Sequence, residues 1–255
     1  SGSSANLLMI SSLFYTKQNR IKLSPGDEVI VPAISWSTTY FPLLQHQLKV
    51  KFCDIDKNTL NIDLDKLRKL ISSKTKLILL VNLGGNPNEF NKIKKIINKK
   101  NIVLLEDNCE SLGAEYKNKK TGTFGIMGSF SFYFSHHIST MEGGMISTND
   151  TELKDILLSI RSHGWTRNLD SKNKLVKKSK DNFQNAFNFI LPGYNVRPLE
   201  FSGAVGMDQL SKLNKFIKIR RNNALKFVKI ISNSTSFYTQ KDTDKSSWFW
   251  FTFIL

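Results

Sequence analysis

Strand-like and helix-like patterns alternate along the chain from Asp27 to about Ile146. Short runs rich in Val, Ile and Leu, which are typical of strands buried on both faces of a sheet, occur at DEVIVP, KVKFCDI, KLILLVNL and NIVLLEDN. Between them lie segments with apolar residues at helical spacing, namely TYFPLLQHQL, LDKLRKLISS and EFNKIKKIINKKN. The alternation predicts an α/β fold in which helices sandwich a mostly parallel sheet with right-handed crossovers.

The remaining chain is predicted to be mainly helical. ELKDILLSIRSHGW continues from Thr151 as a helix, and a polar stretch that reaches about Gln184 is interpreted as a long loop. Residues 199–232 predict one or two long amphipathic helices, and the final SSWFWFTFIL is strand-like with no later segment to pair or cover it. We therefore expect a large domain over residues 1–212, followed over residues 213–255 by a linking helix and the start of an incomplete small domain. We also expect this chain to be an interior piece of a longer protein, truncated at both ends.

The formal net charge of +16 first suggests a nucleic-acid partner. However, the lysines are mixed with asparagine and isoleucine in KIKKIINKKN, YKNKKTG and KNKLVKKSKDN, which favours solvated helix faces and loops. No known nucleic-acid-binding motif, apolar run of ~20 residues or signal peptide accompanies them. Cys53 and Cys109 form neither a disulfide framework nor a CxxC motif. We predict a cytoplasmic protein that binds neither nucleic acid nor membranes.

Two predicted strands end in residues that suit catalysis. Asp107 lies at the end of LLEDN, and His136 lies at the end of SFSFYFSHH, a strand whose polar face carries Ser129 and Ser131. Ligands of such sheets bind at the carboxyl ends of strands. A carboxylate there can hold a heteroaromatic NH⁺, serine hydroxyls can bind phosphate, and histidine can transfer protons near neutral pH. Taken singly, these residues are explained as well by a helix-capping aspartate and by surface or core histidines.

Three further segments carry candidate ligand-binding residues. SGSSAN predicts a helix N-terminus whose free backbone N–H groups around Ser4 and Ala5 suit a phosphate, although any capped helix begins similarly. Trp36 follows a strand in PAISWSTTY and either stacks on a flat ring or fills the core. Asn195 and Arg197, in LPGYNVRPLE, either cap the next helix or reach a ligand. The order of these segments along the chain is more informative than any one of them.

The ordered segments resemble the DegT/DnrJ/EryC1/StrS family of pyridoxal-phosphate (PLP)-dependent nucleotide-sugar enzymes. The resemblance covers essentially the whole chain and rests on SGSSAN, DEVIVP, PAISWSTTY, LLEDNCESLGAEY, GSFSFYFSHH followed by EGGM, IRSHGW and GYNVRPLE. It implies the fold type I architecture of PLP-dependent transferases, which is that of aspartate aminotransferase. It also implies PLP and pyridoxamine phosphate as the cofactor forms, residues 1–212 as the PLP-binding domain, and a homodimer.

His136 departs from the pattern of the family's aminotransferases, which have a cofactor-bonded lysine six positions before the glutamate of EGG, here Glu142. Histidine marks a dehydratase subfamily. The resemblance therefore implies that His136 acts as general base in removing the C3 hydroxyl of a nucleotide-linked 4-keto-6-deoxyhexose. GDP-4-keto-6-deoxy-D-mannose is the expected substrate and glutamate the amino donor, in colitose-type dideoxysugar biosynthesis for lipopolysaccharide O-antigens.

The same motifs are compatible with two alternatives to a dehydratase. One is a nucleotide-sugar aminotransferase that uses another lysine, and the other is a catalytically inactive PLP-fold fragment. A related branch of the family must also be considered. The related branch carries a [2Fe–2S] cluster, which needs about four thiolates. Only Cys53 and Cys109 are present, so we expect no iron–sulfur cluster and no other metal.

The resemblance also implies roles for residues around the cofactor ring and the substrate. Asp107 would pair with the pyridine nitrogen, Trp36 would stack on the ring, and Glu110 would lie near the ring hydroxyl. His163 and Arg167 of RSHGWTRN would contact the nucleotide-sugar substrate.

The cofactor phosphate has its own implied ligands. Ser131 and the backbone amides around Ser4 and Ala5 would hold it within one protomer. Asn195 would reach the phosphate bound by the neighbouring subunit, which makes a complete site a property of the dimer.

Overall fold

The structure, a computed structural model, describes residues 1–98, 100–177 and 179–255. Its strands are β1 (Glu28–Pro32), β2 (Lys49–Cys53), β3 (Thr75–Val81), β4 (Val103–Asp107), β5 (Glu115–Tyr116), β6 (Lys119–Lys120), β7 (Met127–Ser131) and β8 (Gly144–Thr148). Its helices are α1 (Gly2–Tyr15), α2 (Ser37–Gln45), α3 (Leu64–Leu70), α4 (Phe90–Ile97), α5 (Thr151–Ile160), α6 (Asn182–Ala186) and α7 (Glu200–Ile231). A 3₁₀ turn, Leu83–Gly85, follows β3.

Six of the strands form one sheet, in the order β2-β1-β3-β4-β7-β8. Neighbours from β2 to β7 pair in parallel, whereas β8 pairs antiparallel with β7. The strands β5 and β6 form a separate antiparallel pair. The predicted α/β fold with a mostly parallel sheet is confirmed. The carboxyl ends of β1, β3, β4 and β7 meet at one side of the sheet, which we call the carboxyl edge.

Alternate residues of the central strands pack on opposite faces of the sheet. Val29 and Val31 belong to a buried cluster with α1 and with Ile156 of α5. Ile30, between them, belongs to a second cluster with Leu67 of α3 and with α4. Each such fully buried aliphatic side chain stabilises the fold by roughly 1.5–3 kcal/mol relative to exposure. The sheet is therefore sandwiched by helices.

Side-chain caps define the starts of four of the helices. Backbone N–H groups in the first turns of α1, α3, α5 and α6 donate to Ser1, Asp63, Asp150 and Asp181, respectively. Such caps satisfy N–H groups that have no partner inside the helix, each worth about 1 kcal/mol.

Two of the strand predictions were wrong in part. The strand β2 was predicted to be buried on both faces, but it is the last strand of the described sheet, and Lys49 and Phe52 are exposed. The strand predicted to reach His136 ends at Ser131, because the partner strand β8 begins at Gly144, which pairs with Ser131. His136 consequently lies in a loop beyond the strand.

The C-terminal part also differs from the predictions in detail. The helix α6 occupies the last residues of the segment interpreted as a loop, and α7 is one helix of 32 residues. The terminal run is covered only in part: Ser247 and Trp248 are buried and Tyr238 forms a β-bridge with Ile254, whereas Phe251 and Phe253 are exposed as expected. The division at residues 212 and 213 falls inside α7 and stays a prediction. Among the helices of the described residues, none combines the length and apolar character that a membrane span needs.

Candidate active site

The carboxylate of Asp107 is held at the end of β4 by side chains of α1 and α2. Asn6 Nδ2 and Thr39 Oγ1 each donate a hydrogen bond to Asp107 Oδ2 at 2.8 Å. The other oxygen, Oδ1, accepts the backbone N–H of Cys109 at 3.1 Å. Ser129 of β7 donates to Asn6 Oδ1 at 2.6 Å and so orients the amide. This buried carboxylate is therefore fixed in one orientation at the carboxyl edge.

The first turn of α1 lies directly beside Ser131 at the end of β7. A methyl group on Gly2 would lie 2.6 Å from the Cβ of Ser131, so the close approach of helix and strand requires glycine. Ser4 and Ala5 belong to this turn, and the hydroxyl of Ser1 accepts the N–H of Ser4 at 3.1 Å. The N-terminus of a helix offers unpaired N–H groups and a partial positive charge. Together with the Ser131 hydroxyl, this turn suits an anionic group.

His136 is half-buried at the same edge, in the loop after β7. Its Nδ1 lies 3.5 Å from Ser131 Oγ, and its backbone N–H donates to the carbonyl oxygen of Tyr133 at 3.0 Å. Its ring stacks on the ring of Phe249, with centroids 5.0 Å apart and an angle of 26° between the planes. A cavity of about 550 Å³ opens beside the imidazole.

The surroundings of His136 favour its neutral form. Burial lowers the pKa of His136 below its ordinary value of 6.5. The backbone carbonyl of Tyr133, which faces the ring, and the negative charges of Asp107 and Glu142 raise this pKa, but offset only part of the effect. An uncharged imidazole can accept a proton, as a general base must.

Glu110 is a second titratable group near this edge. Its Oε2 accepts the backbone N–H of Gly84, in the turn after β3, at 2.8 Å. Burial raises the pKa of Glu110 from 4.5 to about 8, and the charge of nearby Asp107 acts in the same direction. Glu110 therefore holds a proton at neutral pH and can donate a hydrogen bond from its carboxyl group.

Trp36 and Asn195 both present their side chains to solvent. Trp36 is 72% exposed, which rules out the core interpretation, and its carbonyl accepts the N–H of Thr39 at 3.0 Å. Because Thr39 bonds Asp107, the indole stands on the turn that holds this carboxylate. Asn195 accepts a hydrogen bond from Arg197 Nε at 3.2 Å, and it does not cap α7, whose N-cap is at residue 199.

His163 and Arg167 lie in the segment after α5. The backbone N–H of His163 donates to the carbonyl of Tyr194 at 2.7 Å, and the guanidinium of Arg167 lies 5.2 Å from the ring centroid of Trp165. Both side chains are exposed. Within the described residues, neither side chain forms a hydrogen bond to Asp107. The contact of His163 and Arg167 with the substrate therefore stays a prediction.

Sequence reasoning missed two residues that shape the site and misjudged a third. Asn6 and Thr39 hold Asp107, although neither was singled out. The available signal was a polar residue on the otherwise apolar face of each helix, since both side chains are buried. Ser129 was a candidate phosphate ligand, but its hydroxyl is engaged by Asn6 and so does not fill that role.

A sequence model of the DegT/DnrJ/EryC1/StrS aminotransferase family matches residues 1–255. The chain belongs to this family. GDP-4-keto-6-deoxy-D-mannose 3-dehydratase of Escherichia coli O55:H7, a curated relative, is 59% identical over 256 residues, which cover 100% of this chain and 66% of that protein. The chain thus spans slightly less than two thirds of the length of this relative.

Solved structures with the same family fold support the architecture. A mutant GDP-4-keto-6-deoxymannose-3-dehydratase with bound GDP-perosamine matches with a TM-score of 0.97 and 58% identity, over 100% of this chain and 66% of that one. The same dehydratase with a trapped PLP-glutamate geminal diamine matches with a TM-score of 0.98 and 58% identity, over 100% and 66% of the two chains.

The residues at the carboxyl edge fit the cofactor of this family. A fixed carboxylate at Asp107 suits a ring nitrogen that carries a proton. The exposed indole of Trp36 offers a flat surface to a ring, and the turn of α1 beside Ser131 suits a phosphate. These three features lie around the same end of the sheet, as a phosphorylated heteroaromatic ring requires.

Proposed function

We propose that this chain carries the active site of a PLP-dependent dehydratase that removes the C3 hydroxyl of GDP-4-keto-6-deoxy-D-mannose, with glutamate as amino donor. The product would be a 4-keto-3,6-dideoxy sugar nucleotide, with ammonia and 2-oxoglutarate as co-products. The reaction would serve the synthesis of dideoxysugars for lipopolysaccharide O-antigens.

The single observation that carries this proposal is the histidine at position 136. The segment from Met127 to Ser147 contains no lysine, so no amine at the end of β7 can bond to a carbonyl cofactor. His136 instead presents an imidazole that burial keeps neutral. The high identity to a 3-dehydratase supports the same conclusion.

The proposed binding roles follow from the positions of the side chains. Asp107 would hold the pyridine nitrogen, Trp36 would cover the ring face, and the carboxyl of Glu110 would donate to the ring hydroxyl. When bound, PLP or its amine form supplies an electron sink next to the reacting ketone. Ser131 would bind the phosphate together with the first turn of α1, where the amides of Ser4 and Ala5 would exchange their present bonds to Ser1 for bonds to the phosphate.

His136 would move the proton of the reaction. Its Nδ1 faces Ser131 Oγ at 3.5 Å, whereas Nε2 makes no hydrogen bond within the described residues. We assign proton abstraction to Nε2. The imidazolium that results would be stabilised by the negative charges of Asp107 and Glu142, which already raise the pKa of His136.

The proposal includes a homodimer in which Asn195 completes the site of the partner subunit. Support comes from the exposed amide of Asn195 and from exposed apolar side chains near the start of α7, such as Leu199 and Met207. These two line a cavity of about 760 Å³ next to the first turn of α1. His163 and Arg167 are the proposed substrate contacts, and residues 1–212 the proposed cofactor-binding domain.

The test is to supply the purified protein with PLP, glutamate and GDP-4-keto-6-deoxy-D-mannose and to measure ammonia and 2-oxoglutarate. Equal amounts of both would support the dehydratase. An amino sugar without ammonia would show an aminotransferase. Binding of PLP without any product would contradict this substrate and point to another nucleotide sugar or to an inactive protein. His136→Asn should abolish ammonia release, and His136→Lys should divert the reaction toward amino sugar. His46→Asn, a substitution at the end of α2, is the matched control.

Mixed dimers test the proposed role of Asn195. Dimers of Asn195→Ala alone and of His136→Asn alone should be inactive. In a mixed dimer, one site would combine the intact His136 of the first protomer with the intact Asn195 of the second, so activity should return. Absence of recovery in mixed dimers would place both residues in the same protomer's site.

A further inference from the structure

We propose that Phe249 is a positioning residue that sets the orientation of the His136 imidazole and couples it to α7. The inference rests on the proposed function of His136 as base. It goes beyond that function because it assigns a role to a segment more than a hundred residues away in the sequence.

The ring of Phe249 contacts two consecutive histidines. It stacks on His136 at a centroid distance of 5.0 Å and an angle of 26°, and it lies 5.6 Å from the ring of His137 at 33°. The polar contact of the His136 ring, with Ser131 Oγ, is 3.5 Å long and therefore weak. The stacked phenyl ring is consequently the stronger restraint on the plane of the imidazole.

The position of Phe249 is itself fixed through its backbone. Its N–H donates to the carbonyl of Gly84 at 2.8 Å, and its own carbonyl accepts from Arg220 Nη1 at 2.9 Å. The same guanidinium nitrogen bonds the carbonyl of Trp248 at 3.0 Å. On the other side, a methyl group on Gly85 would lie 2.8 Å from the backbone nitrogen of Trp248, so the segment and the turn after β3 are in close contact.

The histidine loop also docks onto this segment. His137 is buried, and its Nε2 lies 3.3 Å from the carbonyl oxygen of Ser247. Burial lowers the pKa of His137 to about 4, and the charge of Arg220 contributes in the same direction. A neutral His137 therefore donates from Nε2 to Ser247 and anchors the loop without adding charge beside His136.

The chain of contacts thus runs from Arg220 of α7, through the backbone of residues 247–249, to the ring of Phe249 and then to His136. A ring that shields the imidazole from water contributes to its burial, which is the largest influence on the pKa of His136. The charged groups that face His136 are Asp107 at the end of β4 and Glu142 before β8. Neither changes when Phe249 is replaced.

The experiment is an NMR titration of ¹⁵N-histidine-labelled protein without cofactor, for the wild type and for Phe249→Leu. Leucine keeps an apolar side chain but removes the stacked ring. We expect the pKa of His136 to move upward, toward the ordinary value of about 6.5. In turnover, kcat should fall about ten- to a hundred-fold with little change in KM, and the acid limb of the pH profile should move in the same direction as the pKa.

The controls separate positioning from folding and from the proposed function. Phe249→Tyr should keep the wild-type titration, as should Phe251→Leu, whose ring instead stacks on Phe227. Should Phe249→Leu fail to fold, Arg220→Lys provides the second variant, since an ammonium group cannot reproduce the planar guanidinium that holds the two carbonyls. An unchanged His136 titration and unchanged kcat in the folded variants would overturn the proposal. A shifted titration in a protein without dehydratase activity would refute the proposed function alone.

Discussion

Replacing Glu110 with glutamine removes a buried ionisable group while keeping its size and its acceptor for the N–H of Gly84. The pKa of Glu110 is raised from 4.5 to about 8 by burial, so the folded state binds a proton that the unfolded chain releases. The proton bound by the folded state stabilises the protein, and this contribution is fully present below pH 4.5. It declines as the pH rises from 4.5 and is lost above about pH 8. The shift corresponds to at most about 5 kcal/mol. We expect roughly 2–4 kcal/mol, because water at the partly exposed carboxyl screens the charge.

The assay is urea unfolding of the cofactor-free protein at pH 5, 7 and 9, with the free energy of unfolding compared between wild type and Glu110→Gln. The two proteins should have similar stability at pH 5, and the variant should be the more stable at pH 9. Glu115→Gln is the control, because its lysine partners lower the pKa of Glu115 and keep it ionised in both states over this range. Parallel stability curves for wild type and Glu110→Gln from pH 5 to pH 9 would refute the reasoning.

Three further outcomes are expected, each measured on the purified protein. Gly164→Ala should lower the free energy of unfolding by more than about 1 kcal/mol, because φ at this glycine is +82° and a methyl group would overlap the backbone carbonyl of Leu191. Gly203→Ala is the control: its methyl group would lie in open space on α7, and it should raise the free energy of unfolding by about 0.5–1 kcal/mol. Glu106→Ala should cost about 3 kcal/mol in the same urea assay, because three backbone N–H groups that donate to the carboxylate lose their acceptor. Cys53 and Cys109 should react slowly with a thiol reagent at pH 8 in the native protein, because burial raises the pKa of both thiols. Both should react rapidly in urea. A fast reaction of the native protein would contradict the burial of these thiols.

The alternation of apolar and helical segments was sufficient to predict the sheet and its helices. Continuous runs such as KLILLVNL belong to strands with helices on both sides. A strand buried on both faces needs apolar residues at successive positions, and such a run is visible in the sequence itself. The pattern could not reveal that β2 ends the sheet, because strand order depends on contacts between distant segments. Nor could it show where β7 stops, since pairing with β8 determines this.

The candidate site shows the same division between local and distant information. Asp107 and His136 were singled out because both follow an apolar run in a short motif; Asp107 does end β4, whereas His136 lies in the loop after β7. Asn6 was missed, although it bonds Asp107, because 101 positions separate the two residues. Phe249 was likewise invisible as a neighbour of His136 and was interpreted only as part of an apolar terminal run.

The exposed strand β2 has a consequence for how copies of this protein behave at high concentration. A strand at the end of a sheet offers unpaired N–H and C=O groups to any second chain, and Phe52, 56% exposed, adds an apolar contact there. Lys49 and Lys51 interrupt this surface, and Lys51 also pairs with Glu28 at 2.7 Å. Two copies that aligned their β2 strands would bring like charges together. Lys49 and Lys51 thus oppose intermolecular strand pairing and aggregation at this edge.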